Sequence, residues 1–98
     1  MITAFVLIRA ERGQVNALAQ ALATLPGVAE VYSVSGPYDL IAIARVATPD
    51  DLSELVTDRL ATLKGIVSTE TQLAFRAYSR HDLDSLFDLG LGGTRSQG

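Results

Sequence analysis

A short motif occurs twice in this 98-residue sequence and constrains its fold more than any other feature. LATLPGV (22–28) and LATLKGI (60–66) share five of seven residues at an offset of 38, and the differing pairs are Pro for Lys and Val for Ile. At the same offset Leu18 corresponds to Val56. Self-similarity at a fixed offset is the signature of a repeated supersecondary unit. We therefore interpret the chain as a duplicated β-α-β unit.

The hydrophobic pattern gives the same order of elements in both halves. A strand that is apolar on both faces comes first, a helix with leucines at 3.6-residue spacing follows, and a second strand ends the half. Glycines close both helices, and Thr48 followed by Pro49 predicts the start of the second. The predicted strands are 2–10, 28–34, 38–46 and 66–78, and the predicted helices are 13–25 and 49–64.

The order βαββαβ predicts an α+β, ferredoxin-like sandwich. Two helices cover one face of a four-stranded antiparallel sheet, and right-handed crossovers place the first and third strands in its centre. The other face has no covering layer, yet the central strands carry large apolar residues on both sides. We therefore expect the sheet to pack on a second copy, as in a dimeric α/β barrel.

Length and composition predict one domain. The chain is 48% hydrophobic and 19% charged, and we assign residues 1–80 to the domain. Residues 81–98 form a separate tail, in which HDLDSLFDLG (81–90) predicts a short amphipathic helix before a flexible end.

Several function classes are disfavoured by what the sequence contains. The net charge is −3 and the basic residues are scattered, so we expect no direct nucleic-acid binding. The sequence has no cysteine, no metal-ligand spacing and a single histidine, His81, which favours a non-enzyme without cofactor or metal. No signal peptide or membrane span is recognisable, which predicts a cytoplasmic protein without a membrane partner.

Two polar motifs stand beside apolar strands. GPYD (36–39) precedes the third strand, and STET (68–71) lies in the fourth. Taken separately, the first is best explained as a hairpin turn and the second as an exposed strand. Alternation directs Thr69 and Thr71 to one face of the sheet and Ser68 and Glu70 to the other.

Together these motifs resemble the ligand-binding domain of the Lrp/AsnC feast/famine regulators. The resemblance covers about residues 1–78 and rests on the Gly-x-Tyr-Asp turn, a second helix that ends at Gly65, and Val67 with the threonine pair after it. Full-length members carry an N-terminal helix-turn-helix domain, whereas this sequence begins at its first strand. The resemblance therefore implies a stand-alone effector domain without direct operator binding.

The resemblance also implies partners and a site. The family domain dimerises through its sheets, the dimers assemble into tetramers, octamers or higher rings, and full-length regulators of the family are candidate partners. Small effectors, typically amino acids, bind near the turn between dimers. Gly36 would then offer its backbone, Tyr38 would form a wall, Asp39 would pair with an ammonium or order the turn, and Thr69 and Thr71 would donate hydroxyl hydrogen bonds.

Three alternatives remain open from the residues. The first is a small dimeric barrel enzyme of the monooxygenase type, although the sequence lacks Trp and an interior His. The second is an ACT-type amino-acid sensor of the same topology. The third is a pure assembly protein in which the turn has no chemical role.

Overall fold

The structure is a computed structural model that describes residues 1–80. The predicted tail helix at 81–90 and the end that follows it lie outside these residues. Among the described residues, no helix is long and apolar enough to cross a membrane.

Four antiparallel strands form one sheet in the order β2-β3-β1-β4. The strands are β1 (Ile2–Ala10), β2 (Val28–Ser33), β3 (Leu40–Val46) and β4 (Ile66–Leu73). The two central strands are β1 and β3, as the crossover argument predicts. The predicted ferredoxin-like architecture is therefore confirmed.

Helices connect the strands on one side of the sheet. The first is α1 (Val15–Ala23), and the second is α2 (Pro49–Ser53), which runs on as a π-helical segment (Glu54–Arg59) and a 3₁₀ turn (Leu60–Thr62). The predicted start of the second helix is confirmed, because the Thr48 hydroxyl accepts a hydrogen bond from the Asp51 amide at 3.1 Å.

The core lies between the helices and the even-numbered face of the central strands. The strand register pairs Ala4 with Ala44, Val6 with Ala42 and Ile8 with Leu40, and all six side chains are buried. The helices contribute four buried leucines, namely Leu18, Leu22, Leu55 and Leu60. One layer of helix on one face of a sheet therefore accounts for the core.

The last strand is shorter than predicted. The sequence pattern predicts a strand over 66–78, whereas β4 ends at Leu73 and Ala74 donates one more backbone hydrogen bond to Thr3. Because β4 runs antiparallel to β1, its last backbone contacts, Leu73 with Ala4 and Ala74 with Thr3, lie at the first residues of β1. The apolar residues after Ala74 therefore lie outside the sheet.

Candidate functional site

The Gly-Pro turn before β3 is held shut by backbone hydrogen bonds and has an open outer surface. The Val34 amide donates to the Asp39 carbonyl at 3.0 Å, which closes the loop. Gly36 has φ +102°, a conformation that favours glycine, and a Cβ placed there would meet no atom within 4 Å. A small molecule could therefore approach the backbone at Gly36 closely.

Asp39 fastens this turn to β1. Its backbone amide donates to the Ile8 carbonyl at 2.9 Å, and its carboxylate oxygen Oδ2 accepts from the Ala10 amide at 2.8 Å. Oδ1 takes no hydrogen bond from any residue that the structure describes. One side of the carboxylate thus has a structural role, and the other is available to a ligand.

Tyr38 turns toward the uncovered face of the sheet. Its hydroxyl donates to Glu70 Oε1 at 2.7 Å, and the Arg9 guanidinium lies 5.7 Å from the centre of its ring. Donation to Glu70 is the main cause that raises the pKa of Tyr38 above its ordinary value, because the bond favours the protonated phenol. A polar cluster of Arg9, Tyr38 and Glu70 therefore occupies one corner of that face.

The threonine pair lies on the opposite side of the sheet from Tyr38. Thr69 is paired with Ile8 and Thr71 with Val6, so both side chains share the helix-covered face, where they remain exposed on the edge strand. The predicted alternation of β4 is confirmed. Within one protomer, Tyr38 and the two threonines therefore lie on opposite faces of the sheet.

A second polar cluster on the uncovered face is not among the residues singled out from the sequence. Tyr32 donates to Glu30 Oε2 at 2.7 Å, and Arg45 Nη1 lies 3.5 Å from Glu30 Oε1. The hydrogen bond from Tyr32 is the main cause that lowers the pKa of Glu30. The alternation of β2 and β3 could have indicated that these side chains share a face, but not that they touch.

Between the two polar corners runs an apolar band. Phe5 pairs with Ile43, Leu7 pairs with Ile41, and these odd-numbered residues point away from the helices. Phe5 is 37% exposed, although it is a large aromatic residue on a central strand. The uncovered face is thus apolar in its middle and charged at two corners.

Two grooves flank the end of this face. The sheet groove, of about 540 Å³, lies on the uncovered side, and the helix groove, of about 550 Å³, lies between β4 and the second helical segment. Thr71 lines the helix groove together with Leu52 and Val56. No group of three or more metal-ligating side chains occurs among residues 1–80.

The fold and its turn match a family of known proteins. The family model of the Lrp/AsnC ligand-binding domain matches residues 3–83, which includes all four strands, both helices and the turn at 36–39. The chain belongs to this family. The resemblance inferred from the Gly-x-Tyr-Asp turn and the threonine pair is therefore confirmed at the level of the family.

Three similar proteins illustrate the extent of the match. A crystal structure of TTHA0845 from Thermus thermophilus is 56% identical with a TM-score of 0.76, and the match covers 82% of this chain and all of that one. An uncharacterised HTH-type transcriptional regulator of Pyrococcus furiosus, PF0250, is 34% identical over 74% of this chain and 51% of its own length. The transcriptional regulator NMB0573 of Neisseria meningitidis, solved in complex with L-methionine, has the same fold with a TM-score of 0.72 at 16% identity, covering 81% of this chain and 53% of that one.

The chain thus spans about half the length of the curated relatives it matches. The Thermus protein, in contrast, is covered over its whole length. The match therefore identifies an Lrp/AsnC ligand-binding domain.

Proposed function

We propose that this Lrp/AsnC ligand-binding domain binds an amino-acid effector and self-associates, first as a homodimer and then as a tetramer, octamer or higher ring. The observation that carries the proposal is the environment of the Asp39 carboxylate. Its Oδ2 accepts a hydrogen bond from the Ala10 amide, and its Oδ1 has no partner among the described residues. Binding rather than catalysis is also supported by relatives that are named as transcriptional regulators.

The chemistry of the turn suits a zwitterion. An ammonium group would meet Oδ1 of Asp39, and charge-assisted hydrogen bonds of this kind are among the strongest in proteins. The open backbone at Gly36 lets a small ligand approach without a clash. The turn is closed by its own hydrogen bonds before any ligand arrives, so binding loses little entropy in ordering it.

A complete site requires a neighbouring copy. Tyr38 faces the uncovered side of the sheet, whereas Thr69 and Thr71 face the helix side, so one small molecule would not touch all three in a single protomer. Two copies that meet at the turn could supply the threonine hydroxyls from one and the carboxylate from the other. This arrangement makes effector binding depend on assembly, and full-length regulators of the family could supply the neighbouring copy.

The uncovered face supports the first step of that assembly. Phe5, Leu7, Ile41 and Ile43 form one apolar band on this face, in which Phe5 is exposed, Leu7 and Ile41 are half-buried and Ile43 is 9% exposed. A sheet face without a covering layer that carries such a band resembles a core cut in half, and apolar patches of this kind mark interfaces. The methionine complex of the Neisseria regulator adds support for an amino acid as the effector of a domain with this fold.

A thermal-shift screen with the twenty amino acids tests the proposal. A ligand that binds only the folded state raises its melting temperature, and saturation at 100 times Kd adds about 2.7 kcal/mol of stability. We expect at least one amino acid to raise the midpoint and the Asp39→Asn variant to need a higher concentration for the same shift. If no amino acid shifts the midpoint of an assembled sample, the proposed ligand class is wrong.

A further inference from the structure

The chain leaves the sheet after β4 and exposes two aromatic side chains. We call residues 74–80 the post-β4 arm; at its start the Ala74 amide donates a hydrogen bond to the Thr3 carbonyl at 2.9 Å. Phe75 is 94% exposed and Tyr78 is 74% exposed. Phe75 and Tyr78 thus add two large exposed side chains beside the apolar band of the sheet, and a contiguous exposed apolar surface of this kind indicates contact with a partner.

The arm lies between the sheet groove and the helix groove. Ala74 and Phe75 line both the sheet groove and the helix groove, yet the high exposure of Phe75 means that neither groove of its own protomer buries the ring. The sheet groove has an apolar floor of Phe5 and Ile43, with Tyr32 and Arg45 at its side. Such a groove can take an aromatic ring, with the guanidinium near the ring face.

The size of the uncovered face also points to the arm. Stable interfaces commonly use about 20–30 residues on each side. The sheet alone offers about twelve outward side chains: Thr3, Phe5, Leu7, Arg9, Glu30, Tyr32, Ile41, Ile43, Arg45, Ser68, Glu70 and Gln72. The arm adjoins this face at Thr3. Its residues bring the number of contact residues on each side closer to the roughly 20–30 that are usual.

We propose that the post-β4 arm of each protomer lies across a second copy of the chain, with Phe75 seated in the sheet groove of that copy. The proposal rests on the sheet-to-sheet homodimer of the proposed function. In a two-fold dimer the exchange is reciprocal, so both rings and both grooves are buried at once. Phe75 is thus the aromatic anchor of the interface, and Phe5 and Ile43 form the floor that receives it.

Sedimentation of the full chain measures the first consequence. Phe75→Ser is expected to raise the dimer dissociation constant by about tenfold for each anchor and by about a hundredfold for the symmetric pair, because truncation of a buried aromatic anchor typically costs a factor of ten or more. Since Phe75 makes little contact within its protomer, the variant should keep its fold. Val67→Ser is the matched control, because Val67 is 62% exposed and lies near the other end of β4.

Disulfide trapping tests the location, and the cysteine-free chain makes it specific. The Phe75→Cys protein is mixed with the Tyr32→Cys protein and oxidised, so a bridge between the two must be intermolecular. We expect this heterodimer as the main product. Leu73→Cys places the thiol in the helix groove instead, and its mixture with Phe75→Cys should give little of the mixed disulfide.

Two results of these experiments would overturn the inference. An unchanged dissociation constant for Phe75→Ser would show that Phe75 does not anchor the interface. Preferential disulfide formation between residues 75 and 73 would place the arm in the helix groove. A native chain that is monomeric at all concentrations also overturns it. Amino-acid binding is measured separately by thermal shift, so a failed anchor with retained ligand binding leaves the effector proposal standing.

Discussion

Removing the carboxylate of Asp39 should destabilise the domain measurably even without a ligand. Its Oδ2 accepts from the Ala10 amide at 2.8 Å in a partly buried position, and this bond joins the turn to β1. A hydrogen bond to a charged group contributes about 1.5–3 kcal/mol, and removal of one partner leaves the other unsatisfied. Because the position is only partly buried, we expect Asp39→Ala to lower the free energy of unfolding by about 2 kcal/mol.

Asp39→Asn separates the charge from the hydrogen bond. The amide oxygen of asparagine can still accept from Ala10, so only the gain from the charge is lost, and we expect a cost of about 1 kcal/mol or less. For a domain of this size, 1 kcal/mol corresponds to about 4–8 °C in melting temperature. The melting temperature of Asp39→Ala should therefore be about 8–16 °C below that of the native chain. The melting temperature of Asp39→Asn should lie between those two values.

Urea unfolding and thermal melts at one fixed protein concentration measure both values, because self-association makes stability depend on concentration. Asp58→Ala is the matched control, since Asp58 is an exposed carboxylate in the second helical segment and surface substitutions usually change stability by less than about 0.5 kcal/mol. If Asp39→Ala is no less stable than Asp58→Ala, the carboxylate does not hold the turn and the reasoning from this bond is wrong.

Three further predictions concern the face, the turns and the polar corner. Phe5→Asp places a charge in the apolar band and should give a folded monomer of about 10.4 kDa by light scattering, and an undiminished assembly would refute the interface. Gly36→Ala should lower the free energy of unfolding by about 1–2 kcal/mol because of its positive φ alone. Gly65→Ala should lower it further, because the added Cβ would lie 3.0 Å from a side-chain carbon of Gln14, and equal losses in urea unfolding would contradict this. In Glu70→Gln, the pKa of Tyr38 should fall toward its ordinary value in an ultraviolet titration, since the bond that raises it is weakened, and an unchanged titration would refute that cause. Because the shift is upward, whatever the bond contributes to stability is fully present below the ordinary tyrosine pKa of 10.0 and is lost only as the pH rises through the raised value.

Periodicity was sufficient to predict the layers of this fold. The even-numbered residues of β1, from Ala4 to Ile8, and the leucines Leu18 and Leu22 are separated by the spacings that bury one face of a strand and one stripe of a helix. The LATLPGV and LATLKGI motifs gave the order of elements because each marks the same helix end. Such patterns are local, and the fold follows from them because topology rules leave few arrangements.

Features that depend on register or on distant backbone were not predictable. β4 ends at Leu73, and the apolar pattern of 66–78 contains no sign of that end. The π-helical segment Glu54–Arg59 likewise has no distinct hydrophobic spacing. The sequence indicated a continuous strand and a continuous helix in the two places.

For the site, the residue types were predictable and their mutual placement was not. The glycine-proline motif predicted an ordered turn, and the alternation of β4 predicted that Thr69 and Thr71 share a face of the sheet. Alternation alone could not say that this face is the helix side, or that Tyr38 would reach across to Glu70 on the other. Those contacts depend on the pairing of β1 with β4, which joins residues about 60 positions apart.

The central claim, that the turn at Gly36–Asp39 receives an amino acid, is tested most directly by calorimetric titration. The amino acid with the largest thermal shift is titrated into the native chain and into Asp39→Asn, both first shown to be folded and equally assembled. Loss of a charged hydrogen bond of about 1.5–3 kcal/mol predicts an affinity that is about 10- to 150-fold weaker in the variant. Equal affinity in the two proteins would contradict the account, because the ammonium would then be bound somewhere other than at Asp39.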